Sequence, residues 1–406
     1  MSEQVLDVNA EVTSSEDAIF DDIRPCRDDE VHHELTVIQN DESLVNGIVR
    51  LRYPRLCKWI GPILRMRVRA YIKSAVANIH SIQDFQLQVA KAVDRMIETT
   101  TDGITYKGFE KLDPNQGYLF ISNHRDISLD PALIDYALHN YHNNTMRIAI
   151  GDNLLKMPAA TALMRLNKSF LVKRSITSPR ELLKEVTHLS HYIGLSLKEG
   201  HSIWIAQREG RAKDGNDCTE EAVLKMLHMY GRKQNKGFGE YMRSLKVVPV
   251  SITYEYDPGD LAKAAELYER AQNNGQYKKG EFEDIRSIIK GIKDYKGRIS
   301  IVAGKPIDQD FETPSQLAAI MDKFIYENYA MYPSVLLAAK ALGYANESDL
   351  VDISSEDKIK FNNRMDSFPK HLRPTILQMY AYPFVNRNRA LKGELDEAIA
   401  AESKAS

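Results

Sequence analysis

Short apolar segments alternate with helical segments between residues 104 and 303, and this alternation limits the fold more than any other feature. The apolar runs that predict strands are 104–109, 117–122, 146–150, 169–173, 201–206, 246–254 and 298–303. Helical periodicity between them covers 131–140, 153–165, 178–198, 219–229, 259–272 and 281–294. Strands and helices in this order are typical of α/β proteins. We therefore predict a mixed, largely parallel sheet covered by helices.

The two ends of the chain differ from this middle part. Residues 1–42 hold 13 Asp and Glu against two Arg, and the beginning of this segment is predicted to be disordered. Beyond Pro306 the pattern is helical to the end, with segments at 313–328, 333–342, 356–366 and 372–398. The predicted regions are an acidic, partly disordered N-terminus (1–42), a basic amphipathic helical region (43–100), an α/β domain (101–306) and a helical C-terminal region (307–406).

The basic region predicts contact with an anionic surface. Residues 43–83 contain eight Lys and Arg and no acidic residue, and a helix is predicted from Pro62 to about Met96 with a break near Ser81. Its apolar positions are Ile60, Ile63, Leu64, Val68, Tyr71 and Ile72, and Arg65, Arg69 and Lys73 lie beside them. This composition is typical of a helix in the lipid headgroup layer. The alternative is a surface helix that packs the same apolar stripe on a protein core.

Cysteine use and hydropathy predict the compartment. Cys26, Cys57 and Cys218 are far apart, which indicates neither a zinc site nor a disulfide framework, so a reducing compartment is expected. The acidic, polar start of the chain does not resemble a signal peptide. No apolar run approaches the ~20 residues that a spanning helix needs. We expect a soluble or membrane-surface protein.

The segment that carries the strongest chemical signal begins at the end of the second predicted strand. Asn123 and His124 follow this strand directly, and Asp126 and Asp130 lie close behind. A histidine at a strand end with a carboxylate nearby can form a general base and its orienting partner. The alternative is purely structural, because Asp130 and Pro131 also fit the N-cap and first position of a helix.

Two later segments can bind phosphate. Lys173 and Arg174 end a predicted strand together, and such a pair can hold a phosphate, although it can also be a solvated strand end. Glu209, Gly210 and Arg211 follow another buried strand in a turn that combines charge with close backbone approach. A charged surface loop is the alternative there.

A fourth segment, 247–254, is an apolar strand with a proline inside it. Pro249 predicts an edge strand or a bulge, because proline cannot donate to the sheet.

Together these segments resemble the four ordered blocks of the glycerolphosphate and lysophosphatidic acid acyltransferase family. They read Asn-His…Asp, Phe-Leu-Val-Lys-Arg, Glu-Gly-Arg and Val-Pro-Val-Ser-Ile, and the resemblance covers about residues 104 to 304. It implies an acyltransferase α/β domain that needs no metal or cofactor, with acyl-CoA or acyl carrier protein as co-substrate. The implied acceptor is a phosphorylated glycerol lipid such as 1-acylglycerol-3-phosphate, or glycerol 3-phosphate. It also implies a cytoplasmic protein of phospholipid biosynthesis, peripheral at the inner membrane face, that does not bind nucleic acid.

The resemblance also implies roles for individual residues. His124 is the expected general base, Asp130 its partner, and Lys173 and Arg174 belong to the second block. Glu209, Gly210 and Arg211 match the block that holds the acceptor phosphate, and Pro249 marks the block near the acyl donor. The family's histidine and aspartate are usually separated by four residues, whereas His124 and Asp130 are separated by five, so Asp126 is a rival partner. The third block also departs from the family pattern. The family usually has one residue between the glycine and the arginine, whereas Gly210 and Arg211 are adjacent.

Two other functions are considered. His124-Arg125-Asp126 imitates a kinase catalytic loop, but Pro131 stands where that loop carries its metal-binding asparagine, and no glycine-rich loop precedes it. The second is a catalytically altered lipid-binding protein on the same fold. The set of arginines argues against it, because a site without activity has no need of phosphate ligands.

Overall fold

The computed structural model describes residues 18–152, 157–280 and 283–395. The chain divides into two compact units, a first unit of residues 1–89 and 147–192 and a second unit of residues 90–146 and 193–406. These units do not follow the predicted regions, because the segment 147–192 belongs with the N-terminal helices. The predicted disorder at the start of the chain falls on residues 1–17, outside the described residues.

The strands lie close to where the sequence predicts them. In chain order they are β1 (Ile104–Lys107), β2 (Leu119–Ser122), β3 (Arg147–Gly151), β4 (Ser169–Val172), β5 (Ile203–Ala206), β6 (Val247–Tyr254) and β7 (Ile299–Ala303). In the second unit the strand order is β1-β7-β6-β2-β5. Three of these neighbouring pairs are parallel, and β6 with β7 is antiparallel. The predicted mixed, largely parallel sheet is confirmed.

The central strands are buried over their whole length. Every residue of β2 and β6 is buried, as expected for strands with helices on both faces of the sheet. Leu119 pairs with Ile203 of β5 on one side and Val247 of β6 on the other. Because β2 and β5 run parallel, the segments that follow Ser122 and Ala206 emerge at the same end of the strands. This end of the sheet carries His124 and the third sequence block.

The helices also follow the predicted periodicity. In chain order they are α1 (Val31–Asn40), α2 (Glu42–Arg52), α3 (Cys57–Val76), α4 (Ile82–Thr100), α5 (Leu129–His142), α6 (Pro158–Leu166), α7 (Pro179–Lys198), α8 (Glu221–Leu227), α9 (Met229–Lys233), α10 (Phe238–Ser244), α11 (Asp260–Gln272), α12 (Glu283–Lys293), α13 (Pro314–Glu327), α14 (Pro333–Ala341), α15 (Ser355–Ser367) and α16 (Arg373–Leu391). The predicted break near Ser81 is confirmed by the gap between α3 and α4. The predicted starts at 153 and 281 and the predicted end at 398 lie outside the described residues.

The first unit packs its N-terminal helices around one core. Apolar side chains of α1, α2, α3 and α6 share this core, and Leu166 and Val45 are fully buried in it. Because α6 contributes Ala159, Ala162 and Leu166, the segment 147–192 is part of this unit. The unit also holds the parallel pair of β3 and β4.

Helix α3 divides the apolar stripe predicted for it between two environments. Leu64, Val68 and Ile72 are buried in the core of the first unit. Ile60 and Ile63 are exposed, as are Trp59, Met66 and Tyr71, with Trp59 86% exposed. The helix is therefore both part of the scaffold and the carrier of an exposed aromatic and apolar surface. None of the helices in residues 18–152, 157–280 and 283–395 has the length and apolar character that crossing a bilayer requires.

The C-terminal helices share a core with the α/β part of the second unit. This core contains Tyr256 and Ala264 together with buried side chains of α14, α15 and α16. Ile376 and Met379 of α16 are fully buried in it. The predicted boundary at residue 306 therefore separates segments that fold together.

Candidate active site

Asn123 fixes the chain as it leaves β2. Its side-chain Nδ2 donates to the carbonyl of Ile252 at 2.9 Å, and its Oδ1 accepts from the backbone N–H of Ile252 at 2.8 Å. The amide side chain thus continues the pairing of β2 with β6 beyond the last strand residue. Both bonds are buried, so they fix the direction in which His124 leaves the sheet.

His124 contacts Asp130. Its Nδ1 lies 2.8 Å from Oδ2 of Asp130, a carboxylate with no exposed surface. The same Oδ2 accepts from the backbone N–H of Arg125 at 2.6 Å and of Asp126 at 2.9 Å. Because a carboxylate only accepts, Nδ1 carries the proton and Nε2 has the lone pair. With 12% of its side chain exposed, the imidazole can take a proton from a bound substrate.

Tyr254 completes the surroundings of Asp130. Its hydroxyl donates to Oδ1 of Asp130 at 2.9 Å. Burial, followed by the charge of Asp130, raises the pKa of Tyr254 well above its usual value, so the hydroxyl remains a donor. The Asp130 carboxylate therefore accepts one side-chain and two backbone bonds besides that from His124, which hold it in place.

Asp126 has a different role. Its Oδ1 accepts from the backbone N–H of Ser128 at 3.0 Å and of Leu129 at 2.9 Å, so it closes the turn that begins α5. Burial raises its pKa, and the charge of Asp130 raises it further. Asp130 is not the N-cap of α5, because Ser128 holds that position and the Asp130 carboxylate points towards His124.

Residues that no sequence motif singles out also hold His124. The Trp204 ring meets the imidazole edge to face, with centroids 5.6 Å apart, and its Nε1 donates to the Ser122 hydroxyl at 3.0 Å. The backbone N–H of His124 donates to Oδ2 of Asp217 at 3.1 Å. Trp204 and Tyr254 belong to predicted strands, where apolar packing explains them equally well. Asp217 lies in a polar loop with no pattern that could single it out.

The third block lies beside His124. The backbone N–H of Ala212 donates to the His124 carbonyl at 3.3 Å. The half-buried Arg211 donates from Nη1 to the Ser287 hydroxyl of α12 at 2.8 Å, and its charge lowers the pKa of Asp126, against the larger effect of burial. Gly210 has a φ of 73°, which glycine adopts without strain, and Glu209 is exposed.

The second block lies in the first unit. Lys173 contacts Asp22 at 2.6 Å and Glu185 at 2.8 Å, and these carboxylates raise its pKa although burial alone would lower it. Arg174 is exposed, and its backbone N–H donates to Asp152 at 3.1 Å. A phosphate would have to displace both carboxylates from Lys173. Arg174 belongs to a different unit from Arg211, and its role in phosphate binding stays a prediction.

The fourth block is not at the edge of the sheet. Strand β6 lies between β2 and β7, so the edge-strand prediction is wrong. Pro249 pairs with Ile121 of β2, and its carbonyl accepts from the backbone N–H of Gly304 at 2.9 Å, one residue after β7 ends. The position at which Pro249 lacks an N–H thus lies just beyond the end of the antiparallel pairing between β6 and β7. Its role in substrate binding stays a prediction.

Within the described residues, no three His, Cys, Asp or Glu side chains are grouped so that they could hold a metal ion.

Comparison with known proteins supports one chemistry. Residues 103–255 match the family model named Acyltransferase. No curated protein matches the sequence. Among solved structures, the chain is similar to the 1-acyl-sn-glycerophosphate (LPA) acyltransferase PlsC from Thermotoga maritima. This match has 14% identity, covers 70% of this chain and 94% of the other, and has a TM-score of 0.36. A likeness this weak supports no inference.

The matched residues contain His124, Asp130, Arg174, Arg211 and Pro249. The matched range therefore includes all four sequence blocks. Residues 103–255 of this chain are an acyltransferase domain.

Proposed function

We propose that the protein transfers a fatty acyl group from a thioester donor to a hydroxyl of a phosphorylated glycerol lipid. The donor is acyl-CoA or acyl carrier protein, and 1-acylglycerol-3-phosphate represents the acceptor class. The contact between His124 and Asp130, with Arg211 in the adjoining loop, is the observation that carries this proposal. It combines a general base with a cation suited to an acceptor phosphate.

The chemistry follows from the orientation of the imidazole. Nε2 of His124 takes the acceptor hydroxyl proton as the oxygen attacks the thioester carbonyl carbon. The carbon–oxygen ester bond forms and the carbon–sulfur bond breaks, and the thiolate leaves with the proton that His124 releases. Asp130 keeps the proton on Nδ1 and stabilises the imidazolium that forms between these steps. No covalent acyl-enzyme is required.

Arg211 supports the choice of a phosphorylated acceptor. Its guanidinium is half-buried, donates to the neutral Ser287 hydroxyl, and lies in a loop hydrogen-bonded to His124. A phosphate oxygen is a stronger acceptor for arginine than a hydroxyl, so it would displace Ser287. The acceptor would then be held at its phosphate while its hydroxyl meets His124.

An acyl-transfer assay tests the proposal. Purified protein is incubated with labelled acyl-CoA or acyl carrier protein and, separately, with lysophosphatidic acid, other lysophospholipids, glycerol 3-phosphate or water alone. We expect label in a phosphorylated glycerolipid and little release of free fatty acid. Lipid binding without transfer to any acceptor would instead support a catalytically altered lipid-binding protein.

Replacing Arg211 should affect the acceptor more than the donor. We expect Arg211→Ala to raise the KM for a phosphorylated acceptor by about 10-fold or more, because one charge-assisted contact is lost. The KM for the donor should change little. Steady-state kinetics with each substrate varied in turn measures both constants.

Arg232→Ala is the matched control, because it removes an exposed arginine of α9. It should leave both constants unchanged. A proportionate rise of donor and acceptor KM in Arg211→Ala would contradict a phosphate site at this residue.

We also propose that α3 brings the enzyme to the membrane surface. Trp59, Ile63, Met66 and Tyr71 are exposed on this helix, and Arg67 and Lys73 are exposed on it as well. Apolar insertion together with attraction of ~1 kcal/mol per basic residue favours an anionic lipid surface. Since Leu64, Val68 and Ile72 anchor the helix in the core, it can present this surface without leaving the fold.

Charge reversal on α3 should weaken vesicle binding. We expect the combined variant Lys58→Glu, Arg67→Glu and Lys73→Glu to bind phosphatidylserine-containing vesicles at least about 10-fold more weakly than wild type, because three attractive charges become repulsive. Wild-type binding should also fall with rising salt. Co-sedimentation with vesicles measures both effects. These three positions avoid Arg69, which pairs with Glu42 of α2.

A second triple reversal, of Arg232, Lys233 and Lys236, provides the control. These residues are also exposed, and the net charge changes equally. If both triple variants bind vesicles alike, α3 is not the membrane contact.

A further inference from the structure

Buried polar contacts join the C-terminal helices to the loop that carries His124. We name residues 123–128 the histidine loop and residues 207–217 the arginine loop. Helix α16 lies outside the residues that the acyltransferase family model covers. It is nevertheless connected to the histidine loop by two separate branches, one of which passes through the arginine loop.

The first branch begins at Tyr380 of α16. Its hydroxyl accepts from the backbone N–H of Asp257 at 3.0 Å and donates to Oδ2 of Asp260 at 2.9 Å. Arg364 of α15 donates to the same Asp260 oxygen at 2.6 Å. Asp257, Asp260 and Tyr380 are each at most 5% exposed. The C-terminal helices thus fix the backbone position and surroundings of Asp257.

Asp257 in turn holds the histidine loop. Its Oδ2 lies 3.0 Å from Nη2 of Arg125 and 2.6 Å from Nζ of Lys263. The Lys263 ammonium also donates to the backbone carbonyl of Arg125 at 2.7 Å. Burial alone would raise the pKa of Asp257, but Lys263 and Arg125 hold it at about 2, so the carboxylate is charged. Arg125, the residue after His124, is therefore held at its side chain by Asp257 and at its carbonyl by Lys263.

The second branch reaches the backbone of His124. The Met379 carbonyl of α16 lies so close to Gly215 that a Cβ there would be 2.1 Å from it. Asn386 donates from Nδ2 to Oδ1 of Asn216 at 3.0 Å. The next residue is Asp217, whose carboxylate accepts the N–H of His124. Both branches therefore end at the histidine loop, one before and one after the imidazole.

We infer that α16 positions the histidine loop for catalysis, through Tyr380 and Asp257 on one side and through Asn386 and the arginine loop on the other. The kinetic part of this inference rests on the proposed acyl transfer. Small displacements of a base cost large factors in rate, because the hydroxyl, base and carbonyl must align. The C-terminal helices then belong to the catalytic unit, and they act through the contacts of Arg125 and Asp217.

Two variants of the full-length protein test the inference. Tyr380→Phe keeps the ring and removes the hydroxyl, and Asn386→Ala removes the amide of the second branch. Each should lower kcat by about 10- to 100-fold with the KM for donor and acceptor nearly unchanged, since alignment is lost and binding groups remain. Deuterium uptake of peptides covering residues 119–133 should rise, while uptake in the first unit stays at the wild-type level.

Tyr382→Phe is the matched control on the same helix. Its hydroxyl accepts from Gln378 at the surface, at 2.9 Å, and it should change neither kcat nor uptake. Folded Tyr380→Phe and Asn386→Ala proteins with full kcat and unchanged uptake over 119–133 would overturn the inference. If Tyr380→Phe fails to fold, Asn386→Ala decides. If wild type transfers no acyl group to any acceptor, the proposed function fails, and uptake alone still decides whether α16 holds the loop.

Discussion

His124→Ala should lower kcat for acyl transfer by about 10²–10⁴-fold, the usual contribution of a general base. The substitution removes the group that takes the acceptor proton and leaves Arg211 in place, so the KM for the acceptor should change little. Steady-state kinetics with labelled donor, at saturating acceptor, measures the effect. Removing a side chain that is only 12% exposed also opens space beside Trp204, so the fold must be checked.

A matched control separates chemistry from stability. His33→Ala makes the same substitution at an exposed position of α1 and should retain full activity. Circular dichroism and thermal unfolding of both variants should resemble wild type at the assay temperature. A folded His124→Ala protein with near-normal kcat would end the proposed mechanism.

Much of the fold could be predicted because its signals are local. Strands β2, β5 and β6 are short apolar runs between turns, and a segment of that kind has few other stable environments. The end of β2 could therefore be placed, and His124 with it. The position of β6 could not, because Pro249 indicates an edge strand when only its missing N–H is considered. In the sheet this N–H falls where β7 has already ended, which depends on the register of a distant strand.

The partner of His124 shows where sequence spacing stops being informative. His124 and Asp130 are separated by one residue more than is usual in the family. The structure accommodates this residue in the turn that Asp126 closes with its own side chain. Helix α5 begins at Leu129 as a result, and Asp130 falls in the first turn with its carboxylate directed back to His124. The rival aspartate thus helps to place Asp130 against His124. Spacing alone leaves this open, because it does not give the residue at which the helix begins.

The contacts behind the loop could not be predicted at all. Asp257 contacts Arg125, and Tyr380 contacts Asp257, each across more than a hundred residues of sequence and with no motif around them. Buried charged groups of this kind are identified only when their partners are known, because each would be costly to bury alone.

Asp130→Asn should reduce kcat by about 10²–10⁴-fold, a loss comparable to that of the base itself. The asparagine oxygen can still accept from His124 Nδ1 and from the backbone N–H groups of Arg125 and Asp126. It cannot supply the negative charge that stabilises the imidazolium after proton transfer. If the amide rotates instead, its N–H₂ faces Nδ1 and favours the wrong tautomer. Either arrangement lowers kcat and leaves acceptor binding at Arg211 intact.

Asp126→Asn is the informative comparison, because the two aspartates are four residues apart and both are buried. Asparagine can accept the same N–H groups of Ser128 and Leu129, and a neutral side chain suits a site where burial already raises the pKa of the carboxyl. We therefore expect kcat to fall by less than about 10-fold in this variant, because the turn that begins α5 is kept. Parallel measurement of kcat, KM and thermal stability in the two variants decides between the partners. The opposite ranking, with Asp126→Asn the more damaged of two folded proteins, would assign the orienting carboxylate to Asp126.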